Sequence, residues 1–331
     1  MILYDARWSG SHGIGRFSRE IEKRLVGLER VPDSLPLLHP MEPLWLSGFS
    51  IKTRKKFRAY FSPGFNPPLW APMPVIFTIH DLIHLRFEGE SSATKKLYYE
   101  TVVRPNVRRA AKVLTVSEFS KQEIVEWAGV DDRQVQVVGN GVGPEFTPDG
   151  IRYEPGYPYL LYVGNRKPHK NIFRMLQALA RSEAAKDVCL LMSGDRDRET
   201  LNFCRSLHLE GKVAFAGRIS DEELSAYYRG AMGLLFPSLY EGFGLPPLEA
   251  MACGCPVIAS GMTSLPEVCG EAVLYCDPFD VDSIAENIDI LLTSDDTRRN
   301  LGNKGLERAK HFSWDVCAAK VSSIIEQGAT L

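Results

Sequence analysis

Short apolar runs alternate with stretches in which apolar positions recur at helical spacing, and this alternation spans nearly the whole chain. The runs near Met1 to Ala6, Val75 to Ile79, Val113 to Val116 and Val135 to Val138 predict strands in the first half. In the second half, Tyr159 to Val163, Val188 to Met192, Val213 to Phe215, Gly233 to Phe236, Pro256 to Ala259 and Ala272 to Tyr275 do the same. Between them lie helical patterns: one through Phe17, Ile21 and Leu25, one from Glu118 to Ile124 behind Ser117, one through Met175, Leu176 and Leu179, and one from Asp221 to Tyr228 behind Ser220. Lys95 to Lys112 reads as a helix interrupted near Pro105, and helices over Val281 to Leu292, Thr297 to Lys310 and Trp314 to Glu326 end the chain. Strands this apolar are buried on both faces, as in parallel sheets covered by helices, so the pattern predicts doubly wound α/β structure. Val31 to Pro74 departs from it, with many prolines and aromatics and the basic run Lys52, Arg54, Lys55, Lys56 and Arg58. Short strands and long loops are expected there, the basic run being read as a solvated face.

The glycines and prolines from Gly139 to Pro158 form the strongest linker signal and divide the chain into residues 1–150 and 151–312, two α/β domains with a ligand cleft expected between them. A length of 331 residues allows two cores of that size. The first 150 residues carry 20 basic and 17 acidic side chains and the remainder 19 and 24. With a formal net charge of −2 there is no basic footprint, so no nucleic-acid partner is expected. Seven cysteines, most in apolar settings, read as free thiols of a reducing, cytoplasmic compartment. No secretory signal and no membrane-spanning run is expected, whereas the basic helix Lys95 to Lys112 suits either the domain core or an anionic membrane surface.

Candidate chemistry concentrates between Gly233 and Ser260, GLLFPSLYEGFGLPPLEAMACGCPVIAS. A strand ends at Pro237, a loop with Gly242 and Gly244 follows, Pro246 and Pro247 open a helix, and Gly254 closes it. Glu241 and Glu249 thus stand near the carboxyl end of a parallel strand, where ligands of open α/β sheets bind. Helix-start amides favour phosphate and a carboxylate accepts hydrogen bonds from a sugar diol, so a nucleotide diphosphate sugar would satisfy both. A solvated Glu241 and a capping Glu249 explain the same residues structurally. Similar alternatives attend the other candidates. Gly13 and Gly15 precede a helix and suit a pyrophosphate or a plain tight turn. His80 follows a strand and either meets a ligand or bonds a nearby carbonyl. Arg166 and Lys170, in the loop GNRKPHKN after the first strand of the second half, suit a diphosphate or a solvated loop. No Asp-x-Asp metal motif is present where one would be needed, so no metal and no other cofactor is expected.

The E-x7-E spacing from Glu241 to Glu249, together with GIGRF near the start, HD at 80, VSEFSKQEI at 116, YVGNRKPHKN at 162, FAGRISDEEL at 215, TSLPEVCGEAVLYCDP at 263 and FSWD at 312, resembles the retaining, nucleotide-sugar-dependent glycosyltransferases of GT-B fold. The resemblance implies two Rossmann-like domains facing a cleft, the first on the acceptor side and the second holding the donor, with the last helix, 313–327, packing back on the first. It also implies roles: Gly13 and Gly15 against the donor diphosphate, His80 and Glu241 on the transferred sugar, Arg166 and Lys170 on phosphate, Gly242, Phe243, Gly244 and Leu245 lining the donor, and Glu249 on the ribose. Asn165 stands where many members have arginine, so Lys167 is an alternative to Arg166. The NRKPHKN and SLPEV forms look most like bacterial mannosyltransferases of surface-polysaccharide assembly, including lipopolysaccharide. They imply transfer of mannose from GDP-mannose to a hydroxyl of a glycan or lipid-linked acceptor, at the cytoplasmic face of the inner membrane. Alternatives are a UDP-sugar donor on the same fold, a nucleotide-sugar epimerase or hydrolase, and a nonenzymatic sugar-nucleotide-binding subunit. The oligomeric state is left open.

Overall fold

The computed structural model describes residues 1–10, 12–37 and 39–329. The chain forms two units, Met1–Gly141 with Ser313–Leu331, and Val142–Phe312. Each is a doubly wound α/β unit on a six-stranded sheet whose strand pairs are all parallel.

The first sheet contains β1 (Ile2–Tyr4), β2 (Leu28–Arg30), β3 (Ala59–Ser62), β4 (Val75–Thr78), β5 (Lys112–Thr115) and β6 (Val135–Val137), in the order β2-β1-β3-β4-β5-β6. From β1 the chain steps out to β2 and then returns to β3 on the other side of β1, so its winding reverses between β1 and β3. The second sheet contains β7 (Tyr159–Tyr162), β8 (Cys189–Met192), β9 (Val213–Phe215), β10 (Gly233–Phe236), β11 (Val257–Ser260) and β12 (Leu274–Cys276), in the order β12-β11-β10-β7-β8-β9. Here the reversal falls between β7 and β10. Such reversals open a crevice beyond the strands' carboxyl ends, because successive crossovers leave on opposite faces.

The second core joins Leu160, Leu190, Leu235 and Ile258 from the sheet to Met175, Leu176, Ile284 and Ile288 from helices Ile172–Arg181 and Val281–Thr293. Full burial of each such side chain contributes about 1.5–3 kcal/mol. The terminal helix Trp314–Gly328 follows the second unit in sequence but packs on β3, β4, β5 and α1 (Gly13–Glu22) of the first. Its Trp314 is buried with its ring 6.4 Å from that of Phe17. A Cβ on Gly141 would lie 2.1 Å from the Trp314 amide nitrogen, so glycine is required where the two backbones pass.

Between Val31 and Pro74 the chain is more regular than expected, with the buried strand β3 and a twelve-residue helix, α2 (Glu42–Thr53). The interruption at Pro105 takes the form of a π-helical turn, Tyr99–Val103, joining helices Ala93–Tyr98 and Arg104–Arg109, which absorbs the missing proline donor. The cations of this stretch are tied locally: Lys95 to the Glu90 carbonyl (2.9 Å), Arg104 to Glu100 (2.8 Å) and Arg108 to the Ala128 carbonyl (2.7 Å). All seven cysteines are unpaired, and burial pushes the Cys253 thiol up to about 12, far from reactive thiolate. Among the described residues no helix is long and apolar enough to cross a membrane.

Candidate active site

The carboxyl ends of β7 and β10 carry the loops with the cationic and acidic candidates. They are stitched together by backbone and side-chain bonds. The Leu239 amide donates to the His169 carbonyl at 2.7 Å, and the Asn171 side-chain amide donates to the carbonyls of Pro237 (3.0 Å) and Pro278 (2.6 Å). Asn171 precedes helix Ile172–Arg181 in a left-handed conformation, φ 60°, which asparagine tolerates better than most residues. Its buried side chain therefore ties together the ends of β7, β10 and β12 instead of capping its own helix.

Within that frame the Lys170 Nζ lies 2.6 Å from the Glu241 Oε1, each side chain 12% exposed. The Lys170 ammonium also sits 5.1 Å from the centre of the Phe236 ring, an apolar wall against which a charge interacts strongly. Glu241 is held at its backbone: its amide donates to Thr263 Oγ1 at 3.1 Å, and Ser264 Oγ donates to its carbonyl at 2.9 Å. Thr263 has φ 57°, a strained conformation for a β-branched residue, and such strain persists where surroundings fix it. Gly244, at φ 100°, starts helix Leu245–Ala252; a Cβ there would meet Leu265 Cδ2 at 2.5 Å. Pro246 and Pro247 follow without amide hydrogens, so the donors at this helix start belong to Leu245 and the loop before it. Phe243 is buried edge-on against Phe312, 5.8 Å between ring centres.

Glu249 lies inside this helix, 3% exposed, and accepts a 3.0 Å hydrogen bond at Oε2 from the hydroxyl of the fully buried Tyr228. It is therefore an oriented buried carboxylate rather than a surface capping charge. Arg166 is placed differently. Its guanidinium donates to the Ser193 carbonyl at 2.8 Å, pairs with Asp197 at 3.4 Å and lies over the rings of Tyr162 and Phe215. The structure thus brings Lys170 to Glu241, while Arg166 anchors its loop to the end of β8. The Lys167 side chain is exposed.

In the first unit the reversal between β1 and β3 is flanked by Asp5, Arg7 and His80. Arg7 binds both oxygens of Asp5 at 2.7 Å and Glu42 at 2.5 Å, all three side chains being at most 5% exposed, and Tyr60 donates to Asp5 at 3.1 Å. His80 Nε2 is 2.9 Å from the Pro63 carbonyl, and its ring meets Phe17 edge-on at 5.1 Å. Burial lowers its pKa to about 4 despite that bond, so the ring is neutral near pH 7. Facing a carbonyl, Nε2 carries the hydrogen, which leaves Nδ1 as an acceptor. His12 Nδ1 accepts from the Gly15 amide at 3.1 Å where α1 begins at Gly13. A Cβ on Gly15 would lie 2.1 Å from the Gly10 carbonyl oxygen, so glycine is needed there for packing alone.

Among the described residues no group of three or more His, Cys, Asp or Glu side chains could hold a metal ion. Asn171, Tyr228 and the strained Thr263 were not singled out by the pattern of the sequence. Asn171 stands where a helix cap is expected, and only the fold shows its side chain turned to two other loops.

Two family profiles match: glycosyl transferases group 1 over residues 147–308, and glycosyltransferase family 4 over residues 16–146. The O-antigen chain mannosyltransferase B of Escherichia coli is 33% identical over 313 residues, 89% of this chain and 81% of that protein. Among solved structures, sucrose-phosphate synthase from Thermosynechococcus elongatus superimposes with a TM-score of 0.81 at 21% identity, covering 98% of both chains. Anabaena HepE in complex with UDP-glucose does so with a TM-score of 0.78 at 16% identity, covering 98% of this chain and 99% of that one.

Proposed function

The chain belongs to the group 1, family 4 glycosyltransferases and is an enzyme transferring a sugar from a nucleotide-sugar donor to an acceptor hydroxyl, and from that premise we propose that Lys170, Glu241 and Glu249 hold the donor at the carboxyl ends of β7 and β10. The observation that carries this reading is the 2.6 Å Lys170–Glu241 pair at the reversal of the second sheet, with a buried, oriented Glu249 on the helix that follows. An ionised carboxylate only accepts hydrogen bonds, which suits Glu241 to hexose hydroxyls and Glu249 to the ribose diol. The Lys170 ammonium suits the diphosphate, where negative charge grows as the bond to the anomeric carbon breaks. The bonding electrons leave with the diphosphate, the acceptor oxygen bonds the anomeric carbon on the same face, and the acceptor proton passes to the departing phosphate, so configuration is retained. The helix-start amides of Gly244 and Leu245, and the loop Gly242 to Leu245, line the diphosphate side. Gly13 and Gly15 take its other side, and His80, neutral with Nδ1 as acceptor, receives a hexose hydroxyl. Arg166 can add charge toward the phosphates only by giving up part of its Asp197 pair, so it stands second to Lys170, with Lys167 as its alternative.

For the donor, a UDP-sugar stands ahead of the GDP-mannose expected from the sequence. Its support is the UDP-glucose that HepE holds on this fold. GDP-mannose is the second reading, supported by the named activity of the Escherichia coli relative. The acceptor is a glycan or lipid-linked hydroxyl. A thermal-unfolding screen with UDP-glucose, UDP-galactose and GDP-mannose tests the reading, since a ligand that binds only the folded state raises stability by mass action. One nucleotide sugar should raise Tm in the wild type and fail to do so in Glu249→Ala. No protection by any of them, or undiminished protection of the variant, would count against the assigned site.

A further inference from the structure

The exposed face of α2 differs from that of an ordinary surface helix. Met41, just before it, and Leu44, Gly48, Ile51 and Lys52 are all exposed and fall within an arc of roughly 100° around the helix, while Leu46 and Ser50 on the other side are buried. Met41 is 54% exposed, Leu44 52% and Ile51 42%. Trp70, 56% exposed, is fastened beside this stripe: its amide donates to Ser47 Oγ at 3.1 Å, and the Leu69 amide donates to the Pro43 carbonyl at 3.2 Å. Ser47 lies three residues after Leu44 and four before Ile51, so Trp70 extends their apolar strip sideways. At the helix end come Lys52, Arg54, Lys55, Lys56 and Arg58, all exposed. Only Lys56 has an acidic partner, Glu29; the other four make no ion pair or side-chain hydrogen bond with described residues. The single acid between Met41 and Arg58 is Glu42, which is fully buried against Arg7.

We propose that α2 and Trp70 form a docking face for an anionic phospholipid surface. Apolar side chains with an exposed indole suit the boundary between headgroups and acyl chains, and long cationic side chains beside them reach phosphate while their stems lie along the apolar surface. Charge selects this occupant. A second copy in an isologous contact would bring two clusters of unpaired cations together, whereas an anionic bilayer neutralises all of them at once. The basic helical stretch around Pro105 has its arginines and Lys95 engaged and lacks this combination.

The test is sedimentation of the full chain with vesicles of phosphatidylcholine alone or mixed with phosphatidylglycerol. Binding is expected to the mixed vesicles, weakly to phosphatidylcholine alone, and to fall with added salt. Lys52→Glu/Lys55→Glu and Leu44→Ser/Trp70→Ser should each weaken it by about tenfold or more, with wild-type Tm and wild-type transfer to a water-soluble acceptor. Should the second pair lower Tm, the charge pair decides. Failure of the wild type to bind mixed vesicles at low salt overturns the proposal, as does equal binding by both variants. So do two other results without vesicle binding: a dimer in gel filtration lost in Leu44→Ser/Trp70→Ser, which would make a second copy the occupant, and capture by polyglutamate, which would make it an acidic protein.

Discussion

The two units reverse their winding in the same way and use charge at that reversal in opposite ways. Beyond β7 and β10 an ion pair stays 12% exposed on each side and is held through backbone contacts to its neighbours. Near β1 and β3 the Asp5–Arg7–Glu42 cluster is sealed, Tyr60 adds a hydrogen bond, and His80 is neutral. Taking charges out of water costs several kcal/mol per ion, offset only by close partners, so a sealed cluster satisfies itself and has little to offer a ligand. A pair at the rim can exchange a partner for a phosphate or hydroxyl at lower cost. The same topology thus supports a structural use of charge in one unit and a ligand-binding use in the other.

Arg7→Met should break the comparison most sharply on the structural side. It leaves two buried carboxylates without their cation, and removing one partner of such a group costs about 3–5 kcal/mol. Denaturant unfolding should show that loss. A variant that unfolds like wild type while losing transfer activity would mean that the cluster serves the ligand. Lys170→Ala should do the reverse, lowering turnover by about 10²–10³ with little change in Tm, because its pair lies at the rim. Transfer rates beside melting curves check this, and near-wild-type turnover would sink the leaving-group role. Arg166→Ala belongs in the same experiment: a lower Tm with modest loss of turnover fits its bonds to Ser193 and Asp197.

What could be read in advance follows from which interactions are local. The strands and most helices were legible because buried parallel strands are continuous apolar runs, and glycine and proline mark the loop from Glu241 to Pro247. The charged loops after β7 and β10 were legible for the same reason. α2 was not, because Leu44 and Ile51 on its exposed face and Ser47 and Ser50 on its buried one blur the helical period. Neither was the Arg7–Glu42 contact, the reach of Asn171 to Pro237 and Pro278, or the partner of Arg166, since these join residues far apart in the chain. Tyr228 read as one more apolar helix position, and its hydroxyl acquires meaning only when Glu249 is found opposite it. Thr263 is a residue type from which a left-handed conformation is not expected.

His80 sharpens the comparison through pH. Its pKa is about 4 in the folded unit against an ordinary 6.5, so between these values the unfolded chain binds the additional proton. Stability from this group is therefore complete above about pH 6.5 and is lost as pH falls toward 4, by at most about 3 kcal/mol. Unfolding free energies measured down that interval should decline less in His80→Gln than in wild type. Equal declines in the two would place the acid sensitivity elsewhere.

The smallest effect expected is also the most discriminating for the donor side. Tyr228→Phe removes one hydroxyl and leaves the ring and its packing against Phe146, 6.0 Å between centres, in place. Glu249 then keeps its charge and loses the donor that fixes Oε2. If Glu249 grips a part of the donor that does not change during transfer, its loosening weakens ground and transition states alike, so KM for the nucleotide sugar should rise by about tenfold with kcat nearly unchanged. A fall in kcat at constant KM would move Glu249 from the nucleotide toward the reacting sugar. Unchanged kinetics with a lowered Tm would make the Tyr228–Glu249 bond a structural contact, and the charged rim of the second unit would shrink to Lys170 and Glu241.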